Sequence, residues 1–184
     1  FIHGKYYLSN YVKGLMRLKD GEIVSADGGG FYKNNDIYLM LPFDENQYLI
    51  GVQDKAYDNK FYIYNHENGT SKSIDKLGPD FRKLNDYIKT KRLYGGIRLK
   101  DGNYLFNTIT DGAIIVDKET GKIKYHYTDK NGLLDNTVID AFESRNGNIW
   151  LGLNTGISKI EYNSPFKKFS KESMELHRQE DNPT

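Results

Sequence analysis

Four short stretches of this 184-residue chain follow one grammar, and that grammar restricts the fold more than any other feature. Arg17–Ala26 reads RLKDGEIVSA, Pro42–Gly51 reads PFDENQYLIG, Arg98–Asn107 reads RLKDGNYLFN and Glu143–Gly152 reads ESRNGNIWLG. Each ends one strand, turns through Asp-Gly, Glu-Asn or Asn-Gly, and begins another. These dipeptides tolerate the positive backbone angles of tight turns, and Asn146-Gly147 is expected to form a type I′ hairpin. Three of the four continue into a second shared element in which a polar turn launches an apolar strand: YDNKFYIYN (Tyr57–Asn65), ITDGAIIVD (Ile109–Asp117) and LNTGISKIE (Leu153–Glu161). The step from Tyr104 to Ile149 is 45 residues and that from Tyr48 to Tyr104 is 56, the excess lying in LGPDFRKLNDYIKTKRLYGG. An interval of roughly 40–50 residues fits a four-stranded propeller blade, whereas leucine-rich or helical-pair repeats run at other periods.

The expected fold is all-β, a partial β-propeller of about four blades, each a four-stranded antiparallel meander, with one short inserted helix. The blades are expected at 1–35 (partial), 36–77, 94–130 and 137–165, within a propeller fragment spanning 1–170. An inter-blade insertion occupies 78–93 and a polar tail occupies 171–184. Strands are expected near Gly14–Leu18, Glu22–Ala26, Ile37–Leu41, Tyr48–Val52, Phe61–Asn65, Gly95–Leu99, Tyr104–Asn107, Ala113–Val116, Ile123–Tyr127, Val138–Glu143, Ile149–Leu153 and Ile157–Tyr162. Pro79–Thr90 opens with Pro-Asp and places Phe81, Leu84 and Ile88 on one stripe, which predicts a helix.

Composition agrees. Aromatics make up 14% of the residues, with 15 tyrosines, a mix suited to half-buried strands. The balance of 26 basic against 25 acidic side chains carries no polyanion-binding signature, so nucleic acid is not expected as a direct partner. Cysteine is absent, which removes disulfides and thiolate chemistry and leaves the compartment open. No apolar run approaches the ~20 residues of a membrane span, and FIHGKYYLSN lacks the charged start and apolar core of a signal peptide. The chain is expected to be soluble, excised from something longer, and attached to a membrane only through its parent.

Catalytic constellations are thin. His3, His66, His126 and His177 lie far apart with no spacing that sets two ligands on one face, so no metal and no cofactor are expected. DKNGLLD (Asp129–Asp135) lacks the alternating carboxylates and closing Glu of a calcium loop and reads as a blade-linking turn. GGG (Gly28–Gly30) has no Lys-Ser/Thr after it and reads as a flexible turn rather than a phosphate cradle. SRNGNIW partly matches the Asp-box of sialidase-like propellers, itself a structural hairpin. Glu143 and Glu161 fall on strands with nothing that pairs them as glycoside hydrolysis requires. No catalytic residue is expected.

The insertion concentrates Phe81, Arg82, Lys83, Tyr87, Lys89, Lys91, Arg92 and Tyr94, a basic and aromatic set on a connection between blades. Either Phe81, Leu84 and Ile88 cap the fold while the cations are solvated, or Arg82, Tyr87, Arg92 and Tyr94 border a surface for an acidic oligosaccharide or a partner domain. Arginine pairs with carboxylates and tyrosine stacks on a sugar's apolar face.

DKNGLLDNTVIDAFESRNGNIWLGLNTGISKIEYNSP resembles the two-component regulator propeller repeat: a Gly-Leu…Asn…Val entry, then Asp/Asn-Gly-Asn-hydrophobic-Trp, then a Gly-hydrophobic strand ending in Ile-Glu. The match is close over Asn131–Pro165. Weaker copies lie upstream, with Tyr48 and Tyr104 where that family usually has Trp, so the likeness extends over roughly Gly4–Ser170. The resemblance implies the extracytoplasmic (periplasmic) sensor region of a bacterial hybrid histidine kinase or related regulator, of the kind common in Bacteroidetes and often tuned to polysaccharide breakdown products. It also implies signature residues that serve as scaffold: Gly102, Gly112, Gly147, Trp150, Gly152 and Gly156. Trp150 is expected to bury its ring between adjacent blades, so that Trp150→Ala costs ~3–5 kcal/mol, and Gly152 and Gly156 to let backbone approach and turn.

Three function classes follow. The first is a non-catalytic sensor domain with an oligosaccharide or other small ligand, signalling by dimer rearrangement against the rest of the parent protein. The alternatives are a carbohydrate-active lyase or hydrolase, and an interaction scaffold that self-associates through exposed blade edges.

Overall fold

The structure, a computed structural model, describes residues 5–162. It contains four antiparallel sheets and one helix. The first sheet is β1 (Tyr7–Asn10), β2 (Gly14–Lys19) and β3 (Glu22–Ser25). The second is β4 (Asp36–Pro42), β5 (Gln47–Gln53), β6 (Asn59–Asn65) and β7 (Ser71–Ser73). Helix α1 (Pro79–Ile88) then leads to the third, β8 (Leu93–Arg98), β9 (Tyr104–Thr108), β10 (Ala113–Val116) and β11 (Ile123–Tyr127). The fourth is β12 (Val138–Glu143), β13 (Ile149–Leu153) and β14 (Gly156–Ile160). Every sheet is a meander whose strands pair in chain order, and the inner strands β4, β8 and β12 lie side by side. This is a partial β-propeller, as the repeats predict. The residues of the 171–184 tail lie outside the described residues.

Three of the shared hairpins join the first two strands of their sheets, but Arg17–Ala26 does not. It joins β2 to β3, and the chain passes from β3 to β4 as it passes from β7 to β8 and from β11 to β12. Among the described residues the first sheet therefore holds the outer three strand positions and the fourth sheet the inner three. Strands β1 and β7 were not expected, because YLSN and SKS are short edge segments with little apolar character.

Three apolar layers hold the sheets together. Tyr48, Ile50, Val52 and Tyr64 meet Leu15, Ala26 and Tyr32 between the first two sheets. Leu39, Leu49, Phe61 and Ile63 meet Tyr104, Phe106, Ile114 and Val116 between the second and third, where α1 adds Phe81, Leu84 and Ile88. Leu105, Ala113 and Ile115 meet Val138, Ala141, Ile149 and Leu151 between the third and fourth. Successive residues of each second strand thus point alternately to the preceding and the following sheet.

That alternation corrects two expectations. Ladder register places Leu49 between Leu41 and Ile63, Leu105 between Ile97 and Ile115, and Trp150 between Phe142 and Lys159. Trp150 is therefore equivalent to Leu49 and Leu105, while Tyr48 and Tyr104 correspond to Ile149. Leu49 and Leu105 are covered by the next sheet; Trp150 is 41% exposed, on a face it shares with Phe142 (63%) and Ile157 (68%). Its ring is not held between two sheets among the described residues. Gly152 differs from expectation as well, since a Cβ there would meet only Asp140, at 3.8 Å or more.

Turn chemistry also departs from the dipeptide reading. Asp20 and Gly21 both have positive φ, 51° and 84°, and form the two-residue type I′ loop. Asn146 does not join Gly147 (φ 80°) in that region. Instead Gly147 N–H donates to Ser144 O (3.0 Å) and Ser144 N–H to Asn148 O (2.8 Å), a longer turn closed by a bulge. Asp101-Gly102 repeats it, with Gly102 N–H on Leu99 O at 2.9 Å. Nor is Gly28–Gly30 loose: Gly28 has φ 65°, and a Cβ on it would lie 1.7 Å from Gly69 O.

Helix α1 starts at Pro79, whose missing N–H costs nothing at a first position, and buries the expected Phe81, Leu84, Ile88 stripe. It covers the part of the β6 edge that β7 leaves unpaired. Asn85 Oδ1 accepts from Phe61 N–H at 2.8 Å, and Asn59 Nδ2 donates to the Ile88 and Lys89 carbonyls at 3.3 Å each. The capping reading of the apolar stripe is the one observed.

Candidate functional site

The turns β1–β2, β5–β6, β9–β10 and β13–β14 and the starts of β4, β8 and β12 share one end of the sheets. There each inner strand carries an extra residue. The register shifts between Ile37 and Leu39, between Leu93 and Gly95, and between Val138 and Asp140, leaving Tyr38, Tyr94 and Ile139 outside the ladder. A bulge of this kind re-aims one side chain while the flanking pairs keep their faces. The three residues are 36%, 45% and 43% exposed, and the Tyr38 and Tyr94 rings lie 6.2 Å apart with planes 34° from parallel.

Around this row lie Asp36, Gln53 and Tyr57, which with Tyr11, Asp54 and Lys55 line a hollow of ≈ 190 Å³. Tyr38 Oη is 3.5 Å from Gln53 Oε1, and Gln53 is buried, its Nε2 donating to Asn59 Oδ1 at 3.3 Å. Burial, then the Asp36 carboxylate and the Tyr94 hydroxyl, push the Tyr38 phenol above its ordinary pKa, while the Arg92 guanidinium pulls it down. Tyr57 (φ 64°) and Arg92 (φ 53°) are two of four non-glycine residues with positive φ among the described residues. Backbone strain of this kind costs of order 1–3 kcal/mol and gathers where geometry serves a site.

The quartet Arg82, Tyr87, Arg92 and Tyr94 is divided by the fold. Arg92 and Tyr94 join the row. Tyr87 belongs to a separate polar knot: its hydroxyl donates to Asp111 Oδ2 at 2.6 Å and lies 3.2 Å from His126 Nε2, while Lys91 Nζ reaches Asp111 Oδ2 at 3.1 Å. Burial pushes Asp111 upward, but the Tyr87 hydroxyl and Lys91 outweigh it and hold the carboxyl below its usual range. Arg82 lies in the first turn of α1, five residues before Tyr87 and hence about 140° around the helix from it. The local basic charge read from the insertion is also largely neutralised, with Lys83 on Asp80 (2.9 Å), Lys89 on Asp58 (3.2 Å) and Lys91 on Asp111 (3.1 Å).

Tyr38, Gln53, Tyr57 and Asp36 were missed in the sequence. One signal for the row was there: Tyr38, Tyr94 and Ile139 each stand thirteen residues ahead of Gly51, Asn107 and Gly152. The signature glycines fall elsewhere. Gly102, Gly112, Gly147 and Gly156 have positive φ at turns, and Gly152 does not. The DKNGLLD stretch links β11 to β12 through a short 3-10 turn at Asp129–Asn131, the blade-linking role expected of it. Among the described residues no cluster of three or more His, Asp or Glu could hold a metal ion, and no helix is long and apolar enough to cross a membrane.

Sheets packed side by side, with a tyrosine-bearing rim at one end, define a partial β-propeller. Solved structures share that fold. The extracellular domain of the hybrid two-component system BT4673 from B. thetaiotaomicron is similar over 91% of this chain, at 19% identity and a TM-score of 0.62. That of BT3049 from the same organism is similar over 88%, at 20% identity and 0.57. PorZ, a surface component of the type-IX secretion system of Porphyromonas gingivalis, is similar over 85%, at 16% identity and 0.55. This chain spans 21%, 19% and 23% of those chains, about a fifth of each. No family model and no curated protein matches the sequence.

Proposed function

We propose that this chain is part of the extracytoplasmic sensor region of a two-component signalling protein, binding a small ligand, foremost a carbohydrate, and passing that event to a kinase without chemistry of its own. The observation that carries the reading is the shared fold, over nine-tenths of the chain, with the extracellular domain of a hybrid two-component system. The rim adds support, since exposed tyrosines beside a buried amide and an arginine are recognition chemistry. Glu143 and Glu161, the carboxylates weighed for acid-base work, are spent on local contacts. Glu143 Oε2 accepts from Lys100 N–H at 2.7 Å, and Glu161 pairs with Lys159 at 2.9 Å.

A signal of this kind equals the difference in the ligand's affinity for two arrangements of the sensor. A thermal-shift panel of saccharides, amino acids, peptides and organic acids tests the reading. A true ligand at ten times its Kd stabilises by about 1.4 kcal/mol, or roughly 3–5 °C for a chain of this size. A panel in which nothing raises the melting temperature would overturn it.

Transmission is proposed to proceed through self-association. The counterparts of the apolar face of Phe142, Trp150 and Ile157 on the second and third sheets are buried against the following sheet, so in a longer chain this face would take a next sheet, and in this chain it is open to a second copy. Light scattering should show association that rises with concentration and is lost in Phe142→Ser/Trp150→Ser; a wild-type monomer at high concentration removes the self-association.

A further inference from the structure

We infer that copies of this chain join head to tail, the outer face of the fourth sheet, around Trp150, seating on the outer face of the first sheet, around Leu18, of a second copy. This rests on the self-association proposed above and supplies the partner surface for it.

The first argument is what the first sheet leaves open. Ladder register sets Leu8 beside Met16 and Leu18 beside Ile23, and Met16 and Leu18, two apart on β2, share one side of the sheet. Tyr7 and Leu15 lie on the other side, against the second sheet. Leu8, Leu18 and Ile23 therefore stand on the side that every later sheet turns toward the sheet before it. There the later sheets bury their side chains, Ile50, Phe106 and Leu151 among them, whereas Leu8, Leu18 and Ile23 are exposed. A sheet side that faces water reads as polar, yet on these strands the charged Arg17, Lys19 and Glu22 alternate to the opposite side. Exposed apolar side chains grouped in this way mark an interaction surface.

The match between the two faces is the second argument. Each of the three layers within the chain sets the following side of one sheet on the preceding side of the next, mainly through the second and third strand positions. The fourth sheet offers Trp150 and Ile157 at those positions, and the first sheet offers Leu8 and Leu18. A head-to-tail contact repeats a packing that the chain already makes three times. Seating the Trp150 face of one copy on the same face of another repeats none of them. The contact is heterologous: once it forms, one head and one tail remain free, to close a ring or extend a row.

Two variants separate the faces. The head variant, Leu18→Ser/Ile23→Ser, keeps Trp150; the tail variant, Phe142→Ser/Trp150→Ser, has no tryptophan, because Trp150 is the only one in the chain. By sedimentation, each alone is expected to associate about tenfold or more weakly than the wild type. Mixed, they should form a 1:1 pair that grows no further, since the pair's remaining head and tail are both substituted. The emission of the head variant's Trp150 should shift to the blue as the tail variant is added, and a chain carrying all four substitutions should cause no shift. Ile23→Ser and Trp150→Ser serve if either double variant melts early. A head variant that associates as tightly as the wild type, or a mixture that gives neither a pair nor a shift while the wild type associates, would overturn the head-to-tail contact and leave self-association standing. A wild type that stays monomeric at high concentration removes both, and the sensing role is then still decided by the thermal-shift panel.

Discussion

Phe106→Ala is expected to destabilise the chain by ~3–5 kcal/mol, and Trp150→Ala, which removes a larger ring, by no more than about 1 kcal/mol. Phe106 is fully buried between the second and third sheets, 4.7 Å from the Phe61 ring and 5.8 Å from that of Tyr104. Neighbours on two rigid sheets cannot collapse into the space it leaves, so the lost transfer energy is joined by a cavity cost. Trp150 is packed on one side only, against its own sheet, and its truncation opens no closed cavity. Thermal denaturation at a fixed, low protein concentration separates the two, with the Phe106 variant melting roughly 6–20 °C lower. Equal losses for both variants would show that Trp150 is covered and would reverse the assignment of the fourth sheet's outer face.

The contrast marks how far the sequence can be read. The hairpin grammar and its 45-residue step identify the blades, because a tight turn between apolar runs is a local property that each repeat spells again. The Phe81, Leu84, Ile88 stripe identifies α1 for the same reason. What local pattern cannot carry is which sheet covers a given face. Leu49, Leu105 and Trp150 occupy one position in the repeat, yet two are buried and one is not, and that is decided by the neighbouring sheet. The site was half legible. Arg92 and Tyr94 stand out as charge and aromaticity on a connection, but Tyr38 sits within an apolar run and reads as an ordinary strand residue until the ladder shows it unpaired. Tyr87 was singled out by type alone, and its partner Asp111 lies 24 residues away on another turn.

Gly112→Ala is the second substitution expected to have a large effect, about 3–4 kcal/mol, against 1–2 kcal/mol for Gly102→Ala. Both glycines have positive φ, 70° and 89°, so both substitutions meet the steric cost of a side chain in left-handed backbone. They differ in the space around them. A Cβ on Gly102 meets nothing within 4 Å, whereas one on Gly112 would lie 1.9 Å from Tyr127 O and 3.0 Å from Tyr127 C. Backbone cannot yield as a flexible side chain does, so β11 or the β9–β10 turn has to move. That turn is tied on every side: Gly112 O accepts from Thr108 N–H at 2.9 Å and from its Oγ1 at 3.0 Å, and Gly112 N–H donates to Asn136 O at 2.9 Å. Asp111, one residue before, anchors Tyr87 and Lys91, so displacing the turn also loosens the knot that fixes the end of α1 beside the rim. Denaturant midpoints for the two variants should therefore differ by about 2 kcal/mol at unchanged slope. If Gly112→Ala proves as mild as Gly102→Ala, the close approach of the two turns is relieved at little cost, and the rim rests on a more yielding support than the contacts around Gly112 imply.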